Sequence, residues 1–171
     1  DLDGELIKKV AARGKTAVDV QALLRHVDHK TDLMYFEDWK DKLEYLPYID
    51  FLKTDAAESE IMTGTSNRAE AARMLHNWGA GEVVITHNTE VLSFDGNTIC
   101  TCPIKARNLS GRSGRGDTTF AAYISERVTG SSMEDALLWA TATVSAKMEK
   151  PGPYKGTRAD IEDYIRRFYN R

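Results

Sequence analysis

The most constraining feature of this sequence is the regular exchange of helix-like and strand-like patterns along its length. The run EVVIT, from Glu82 to Thr86, is almost entirely apolar, which is typical of a strand covered on both faces of a sheet. A helix-like pattern precedes it, with Ala71, Leu75 and Trp78 on one face and glycines at its end. Because strands alternate with amphipathic helices, the sequence predicts an α/β fold.

The alternation extends over the whole chain. Strands are predicted at Thr16–Val20, Tyr48–Lys53, Glu82–Thr86, Glu90–Phe94 and Thr98–Cys102, with a polar stretch at His26–Asp32. Helices are predicted at Leu2–Val10, Glu37–Tyr45, Asp55–Gly64, Ala71–Trp78, Phe120–Val128, Leu137–Met148 and Ile161–Phe168. Neither a repeat nor a linker interrupts the pattern, so a single α/β domain is predicted over residues 1–171.

Composition excludes several classes of protein. Hydrophobic residues make up 42% and charged residues 29% of 171 residues, the balance of a globular chain. The net charge of -3 provides no basic field for nucleic acid or an anionic membrane, so neither partner is expected. The cysteines, Cys100 and Cys102, are too few for a disulfide scaffold, and a cytoplasmic location is predicted.

The segment from Asn108 to Ile124 has the strongest chemical signal. A loop with Gly111, Gly114 and Gly116 leads into an amphipathic helix whose first turn contains Asp117. Backbone N–H groups at a helix start lack internal partners and attract anions, and glycines let a phosphate approach them closely. An aspartate there is placed to take a proton from a hydroxyl that attacks the phosphate. The alternative from spacing alone is a glycine turn followed by an aspartate that complements the helix dipole.

The segment GRSGRGDTTFAAY resembles the second signature of the ribokinase-like, or PfkB-type, carbohydrate kinases. Three further segments are similar to that family in the same order, namely FLKTDAAESEIMTG, EVVITHNTEVLSFDG and ALLWATATVSAKMEKPGP, and VDVQALLR is similar to the plant myo-inositol kinase branch. The resemblance implies a doubly wound, mostly parallel sheet with helices on both faces. It also implies ATP-dependent phosphorylation of a hydroxyl of a sugar or polyol, with ATP and Mg²⁺ as cofactors, and it leaves open a homodimer.

The resemblance assigns roles to individual residues. Asp117 matches the catalytic base, and the amides at Gly114, Arg115 and Gly116 match the anion hole. The residues that match the nucleotide and metal positions are Lys53 near the phosphates, Asp55 in place of asparagine, Glu58 for magnesium through water, Thr86 and Asn88 in the nucleotide turn, and Thr141 and Gly152 near the adenine.

The sequence departs from the family pattern at several positions. Gly111 replaces the aspartate that helps to form a monovalent-cation site, so that site is not carried over. Arg115 replaces a small residue and either adds positive charge near the phosphates or points to solvent. Asn88 replaces a glycine. The family's amino-terminal strands and lid have no counterpart, so the chain is predicted to be the nucleotide-binding part of a longer kinase whose acceptor the sequence does not identify.

Other readings of these residues stay open. The chain could be a nucleotide-binding module without catalytic activity, or a binding protein without a nucleotide. Asp55 and Glu58 also fit a capping box at a helix start. The tripeptide Arg115-Gly116-Asp117 matches an integrin-binding motif, which would need an exposed loop tip.

Overall fold

The computed structural model describes residues 3–171. The helices are α1 (Gly4–Ala11), α2 (Gln21–Leu24), α3 (Lys42–Tyr45), α4 (Ala56–Thr63), α5 (Arg68–Asn77), α6 (Arg115–Val128), α7 (Met133–Met148) and α8 (Arg158–Tyr169). The strands are β1 (Ala17–Asp19), β2 (Arg25–Asp28), β3 (Leu33–Phe36), β4 (Phe51–Asp55), β5 (Glu82–Thr86), β6 (Glu90–Phe94) and β7 (Ile99–Pro103). Leu2, part of the first predicted helix, lies outside the described residues.

The main sheet contains five strands in the order β1-β4-β5-β6-β7. Strands β1 and β4 pair in parallel, with Val18 opposite Leu52. The sheet confirms the predicted α/β class, and the bounds of β5 and β6 match the prediction. Two compact units are distinguished: the described residues up to Ile85 with Phe94–Ile99, and Thr86–Ser93 with Cys100–Arg171.

The first unit is built on the buried strands β4 and β5. Leu52 of β4 and Val84 of β5 are fully buried, as apolar runs of this kind predict. Helix α4 begins at Asp55, whose carboxylate accepts a hydrogen bond from the Glu58 amide. Asn67 caps α5 in the same way. The strand that carries Lys53 therefore leads directly into a helix with a defined start.

Two predictions in the first unit were wrong in detail. The polar stretch at His26–Asp32 overlaps β2 and contains the turn of an antiparallel hairpin with β3, in which Asp28 pairs with Leu33. The helix predicted from Glu37 is limited to α3, because buried Trp39 stacks on Tyr45 with 6.0 Å between ring centroids. Tertiary packing thus overrides helix propensity before Lys42.

The second unit contains the three longest helices. Helix α6 packs against α7, and most of the surface of α7 is buried. Ala142 of α7 forms a buried cluster with Ile161 and Tyr164 of α8. Thr157 and Asp160 form the predicted capping box of α8. Within residues 3–171 no helix is both long and apolar enough to cross a membrane.

Candidate functional site

The start of α6 has backbone N–H groups without backbone partners. Gly114 is the N-cap, with a φ of 74°, a left-handed conformation that favours glycine. The first helical hydrogen bond runs from the Thr118 amide to the Gly114 carbonyl, at 3.1 Å. The amides of Arg115, Gly116 and Asp117 precede it, and no backbone carbonyl in the described chain accepts from them. This is the arrangement that an oxyanion or phosphate requires.

Asp117 lies in the first turn of α6 with an exposed side chain. Its carboxylate has no hydrogen bond or ion pair with any other residue among 3–171. A β-carbon placed on Gly114 would lie 3.9 Å from Asp117 Oδ2, so the carboxylate is close to the N-cap. The integrin motif therefore forms a helical turn rather than a loop tip. A carboxylate in this position can accept a proton.

Arg112 of the preceding loop and Arg115, the first residue of α6, converge on one amide oxygen. Arg115 Nη1 lies 2.6 Å and Arg112 Nη2 lies 3.1 Å from Asn88 Oδ1. Within the part of the chain that the structure describes, neither guanidinium has a carboxylate partner. Asn88 is not among the residues with positive φ, so its replacement of a glycine needs no unusual backbone conformation. The side chain of Arg115 is thus held on Asn88, beside the loop.

A buried lysine supports the same loop from α7. Lys147 is 3% exposed, and its ammonium donates a hydrogen bond of 2.6 Å to the Gly111 carbonyl and another to the Ser113 carbonyl. The Gly111 amide donates to the Met148 carbonyl at 2.7 Å. The loop before α6 is thus fixed to the last turn of α7.

The first unit contains a charged cluster around Lys53. The lysine ammonium lies 2.9 Å from Asp19 Oδ2 and 3.7 Å from Glu58 Oε2, and the side chains of Lys53 and Glu58 are almost completely buried. Asp19 is partly exposed and also caps the amide of Gln21. Parallel pairing of β1 with β4 places Asp19 directly opposite Lys53.

Glu58 is both a capping residue and a buried acid. Its Oε2 accepts a hydrogen bond of 2.7 Å from the Asp55 amide, which completes the capping box. Burial raises the pKa of Glu58 above its usual value, and the charge of Lys53 opposes that shift. The second oxygen, Oε1, is buried without a hydrogen-bond partner among residues 3–171. Glu58 therefore has an oxygen able to accept a hydrogen bond from a metal-bound water.

The remaining predicted residues lie in different surroundings. Thr86 is buried at the end of β5, and Gly152 is exposed with a φ of 85°. Thr141 is fully buried in α7, and its hydroxyl donates to the Leu137 carbonyl at 2.7 Å. The turn that contains Gly152 borders a cavity of about 640 Å³, whose lining includes Arg107, Lys147, Pro151, Pro153, Tyr154 and Tyr164.

Sequence reasoning missed three residues of these clusters. Arg112 was overlooked because a lone arginine in a glycine-rich loop has no distinctive spacing. The contact of Asp19 with Lys53 follows from the pairing of their strands. The one indication in the sequence was a charged residue within the apolar run VDV, at the end of a strand. Lys147 lies within a helix whose pattern predicts core packing, and only the fold shows where its ammonium is directed.

Comparison with known proteins relates this chain to one family and one fold. The sequence pattern of the pfkB family carbohydrate kinases matches residues 8–160. The structure is similar to a pyrophosphate-dependent kinase in the ribokinase family complexed with a pyrophosphate analog and myo-inositol, with 34% identity, a TM-score of 0.86, and coverage of 94% of this chain and 58% of that chain. Ribokinase from Arabidopsis thaliana, complexed with ribose and ATP, has the same fold at 21% identity, with a TM-score of 0.77 and coverage of 95% and 53%.

A curated relative shows the same relationship over a shorter span. Cytidine kinase from Thermococcus kodakarensis is 29% identical over 97 residues, which are 55% of this chain and 35% of that protein. The chain thus spans about three fifths or less of the length of these relatives. The structural similarity confirms the predicted ribokinase-like fold, and the match over residues 8–160 shows that the chain belongs to the pfkB family of carbohydrate kinases.

Proposed function

We propose that the protein to which this chain belongs transfers a phosphoryl group from ATP to a hydroxyl group of a sugar or polyol. The start of α6 is the observation that carries the proposal. Amides without backbone hydrogen-bond partners at the helix start lie beside the exposed carboxylate of Asp117. Two arginines that have no carboxylate partner in the described chain lie at the same loop. Donors for an anion and an acceptor for a proton thus occur within one turn of helix.

In the proposed reaction Asp117 is the base. The acceptor oxygen forms a bond to the terminal phosphorus of ATP while the bond from that phosphorus to the bridging oxygen breaks, and ADP leaves with the electron pair. The proton of the acceptor hydroxyl passes to the Asp117 carboxylate. Because phosphoryl transfer needs little covalent chemistry from the protein, positioning and electrostatics account for most of the acceleration.

The amides at Gly114, Arg115 and Gly116 are proposed to hold the oxygens of the transferring group. They are fixed before the substrate arrives, so they stabilise charge that develops in the transition state without reorganising. The partial positive charge of the α6 start acts in the same direction.

Lys53, Asp55 and Glu58 are proposed to serve the donor phosphates and magnesium. Magnesium keeps much of its water shell and neutralises phosphate charge when it is bound. The partnerless Oε1 of Glu58 suits a hydrogen bond from one of those waters, which supports contact through water.

Thr86, Asn88, Thr141 and Gly152 are proposed to lie around the nucleotide. Asn88 has the strongest support, since the arginines of the anion-hole loop bind its side chain. Thr141 would act as part of the supporting helix, because its hydroxyl is already bonded to Leu137.

Pyrophosphate is a second candidate donor. The specific observation that favours it is the pair of guanidinium groups on Asn88, which adds two positive charges close to the proposed anion hole. Guanidinium groups bind phosphate oxygens strongly and in a planar geometry. The relative at 34% identity is a pyrophosphate-dependent kinase, which also favours pyrophosphate as the donor.

The test is a phosphorylation assay on the full-length protein with ATP or pyrophosphate as donor. The acceptors are myo-inositol, ribose, fructose and cytidine, and the product is detected as the phosphorylated acceptor. Asp117→Asn is expected to lower kcat by about 10² to 10⁴ while donor binding in calorimetry is retained. Asp135→Asn, an exposed carboxylate in the first turn of α7, is the matched control.

Each outcome separates the alternatives. Donor binding without transfer to any acceptor would favour the nucleotide-binding module without catalytic activity. Absence of both donor binding and transfer would contradict the kinase proposal. Near-normal turnover of a folded Asp117→Asn variant would exclude Asp117 as the base.

A further inference from the structure

Lys147 is a buried cation whose partners are backbone carbonyl groups. Its ammonium contacts the carbonyl oxygens of Gly111, at 2.6 Å, and Ser113, and only 3% of the residue is exposed. No carboxylate in the described chain forms an ion pair with it. A buried ammonium without a carboxylate partner is costly, so its retention requires compensation from the groups around it.

The surroundings of Lys147 provide that compensation. The residue is in the last turn of α7, where the helix dipole places a partial negative charge. The two loop carbonyls add directed hydrogen bonds to an ammonium that has three donors. The side chain is thus held at one position in the loop.

This contact fixes the direction of an anion-hole amide. In a trans peptide the carbonyl of one residue and the N–H of the next point in opposite directions. Because the Ser113 carbonyl faces the ammonium, the Gly114 N–H is directed away from Lys147. Lys147 therefore determines where one donor of the proposed anion hole points.

The loop has no room for a side chain at position 111 that could bind a cation. A β-carbon on Gly111 would lie 1.9 Å from the carbonyl oxygen of Lys150 and 2.9 Å from that of Lys147. A carboxylate at position 111 is excluded for the same reason. Carbonyl oxygens that face inward are the ligands that a potassium ion takes in place of water, and here they already bind an ammonium group.

We infer that the ammonium group of Lys147 is a resident cation, that is, it occupies the position of a bound monovalent ion and orders the loop at residues 111–114. The order of this loop is therefore independent of monovalent metal ions. Lys147 is a positioning residue, since it acts through the loop and not on the reacting atoms. The inference rests on the proposed anion-hole function of the loop, but order in the loop is measurable without activity.

The test compares wild type, Lys147→Ala and Lys147→Met in full-length protein. Thermal unfolding is measured in chloride salts of sodium, potassium, ammonium and tetramethylammonium at equal ionic strength. The wild-type Tm is expected to be the same in all four salts. The variants are expected to have a lower Tm, which potassium or ammonium partly restores and tetramethylammonium, which is too large for the vacated position, does not.

Amide hydrogen exchange over residues 108–116 distinguishes this role from simple packing, because ammonium would not restore protection lost with a lysine that only packs. Exchange is expected to increase in the variants and to fall again when ammonium is added. Lys105→Ala is the matched control, because the Lys105 ammonium also donates to a backbone carbonyl, that of Phe168 at 2.6 Å, but is exposed. It is expected to show no rescue by ammonium.

Several results would overturn the inference. A wild-type Tm that rises specifically in potassium would show that the loop binds a metal ion, and this measurement needs no variant. A loss of Tm in the variants that is equal in all four salts, with unchanged exchange over the loop, would show that Lys147 only packs. If phosphorylation fails in wild type while these ion effects occur, the proposed function is wrong, but the role of Lys147 as the cation that orders the loop is supported.

Discussion

Arg115 Nη1 lies 2.6 Å from Asn88 Oδ1, and the guanidinium belongs to the first residue of α6. Arg112 reaches the same oxygen from the preceding loop, so a neutral amide orients two positive charges without neutralising them. A carboxylate at position 88 would pair with both arginines and reduce their attraction for phosphate. The asparagine therefore holds both arginines in a form that still attracts anions.

Arg115→Ala is expected to weaken donor binding more than turnover. The loss of one charged hydrogen bond to phosphate should raise the KM for the donor about 10- to 100-fold. The measurement is steady-state kinetics with ATP and with pyrophosphate. Arg166→Ala, which removes an exposed arginine from α8, is the control. An unchanged KM for both donors would show that Arg115 faces solvent in the active protein.

Asn88→Asp, like removal of an arginine, is expected to weaken donor binding. The new carboxylate would pair with Arg112 and Arg115 and add negative charge beside the proposed phosphate site. Donor KM should rise while the Tm stays close to that of wild type. A lower donor KM in Asn88→Asp would contradict the argument that the two guanidinium groups attract the donor.

Asp19→Asn is expected to destabilise the first unit. Lys53 would lose its nearest anionic partner, and its remaining anionic partner among residues 3–171 would be Glu58, at 3.7 Å. Asparagine can still accept a hydrogen bond from Lys53 but carries no charge, so the free energy of unfolding should fall by about 1–3 kcal/mol, the range for hydrogen bonds of a charged group. Chemical denaturation measures it. Asp41→Asn, at a position without a side-chain cap, is expected to be close to neutral, and equal losses in both variants would contradict the pairing.

Much of the fold followed from sequence because local signals and tertiary packing agree in most elements. EVVIT forms β5 as predicted, and the Thr157 and Asp160 pattern caps α8 as predicted. The β2–β3 hairpin could not be found in the same way, because its strands have exposed side chains and therefore no alternation of buried and exposed positions. Its turn depends on Asp28, whose carboxylate accepts hydrogen bonds from Lys30 and Thr31.

The candidate site was predictable where one segment contains all the chemistry. The start of α6 is such a segment, since Gly114 to Asp117 are consecutive. Asp19 and Lys53 are 34 residues apart and meet only through the pairing of β1 with β4. Lys147 and Gly111 are 36 residues apart and meet only through the packing of the loop on α7. Contacts between distant segments require a topology, which residue spacing alone does not supply.

The stability of the second unit is expected to fall at acidic pH through Glu149. A hydrogen bond from the Arg107 side chain, with further ones from the Arg107 amide and the Tyr164 hydroxyl, lowers the pKa of Glu149 from 4.5 to about 2. A lowered acid pKa means that the unfolded chain binds more protons between these two values. The stabilisation is thus complete above about pH 5 and is lost as the pH falls towards 2.

Glu149→Gln tests this dependence. The variant is expected to be less stable than wild type at pH 7, by about 1–3 kcal/mol for the weakened hydrogen bonds of a charged group, and to lose less stability between pH 5 and pH 2. Urea denaturation at several pH values measures both effects. Glu134→Gln removes an exposed carboxylate from the same unit and should leave the acid dependence unchanged. Parallel curves for wild type and Glu149→Gln would assign the acid dependence to other carboxylates.

Gly111→Ala is expected to disrupt the loop before α6 although it adds a single methyl group. The new β-carbon would lie 1.9 Å from the Lys150 carbonyl oxygen, and backbone atoms cannot move aside as the end of a flexible side chain can. The free energy of unfolding should fall by about 1–3 kcal/mol, and donor affinity should fall with it because the loop aims the Gly114 amide. Gly14→Ala is the matched control, since a β-carbon there meets nothing within 4 Å. A Gly111→Ala variant with wild-type stability and donor affinity would mean that the loop does not rest on the end of α7, and the positioning of the anion hole by Lys147 would fail with it.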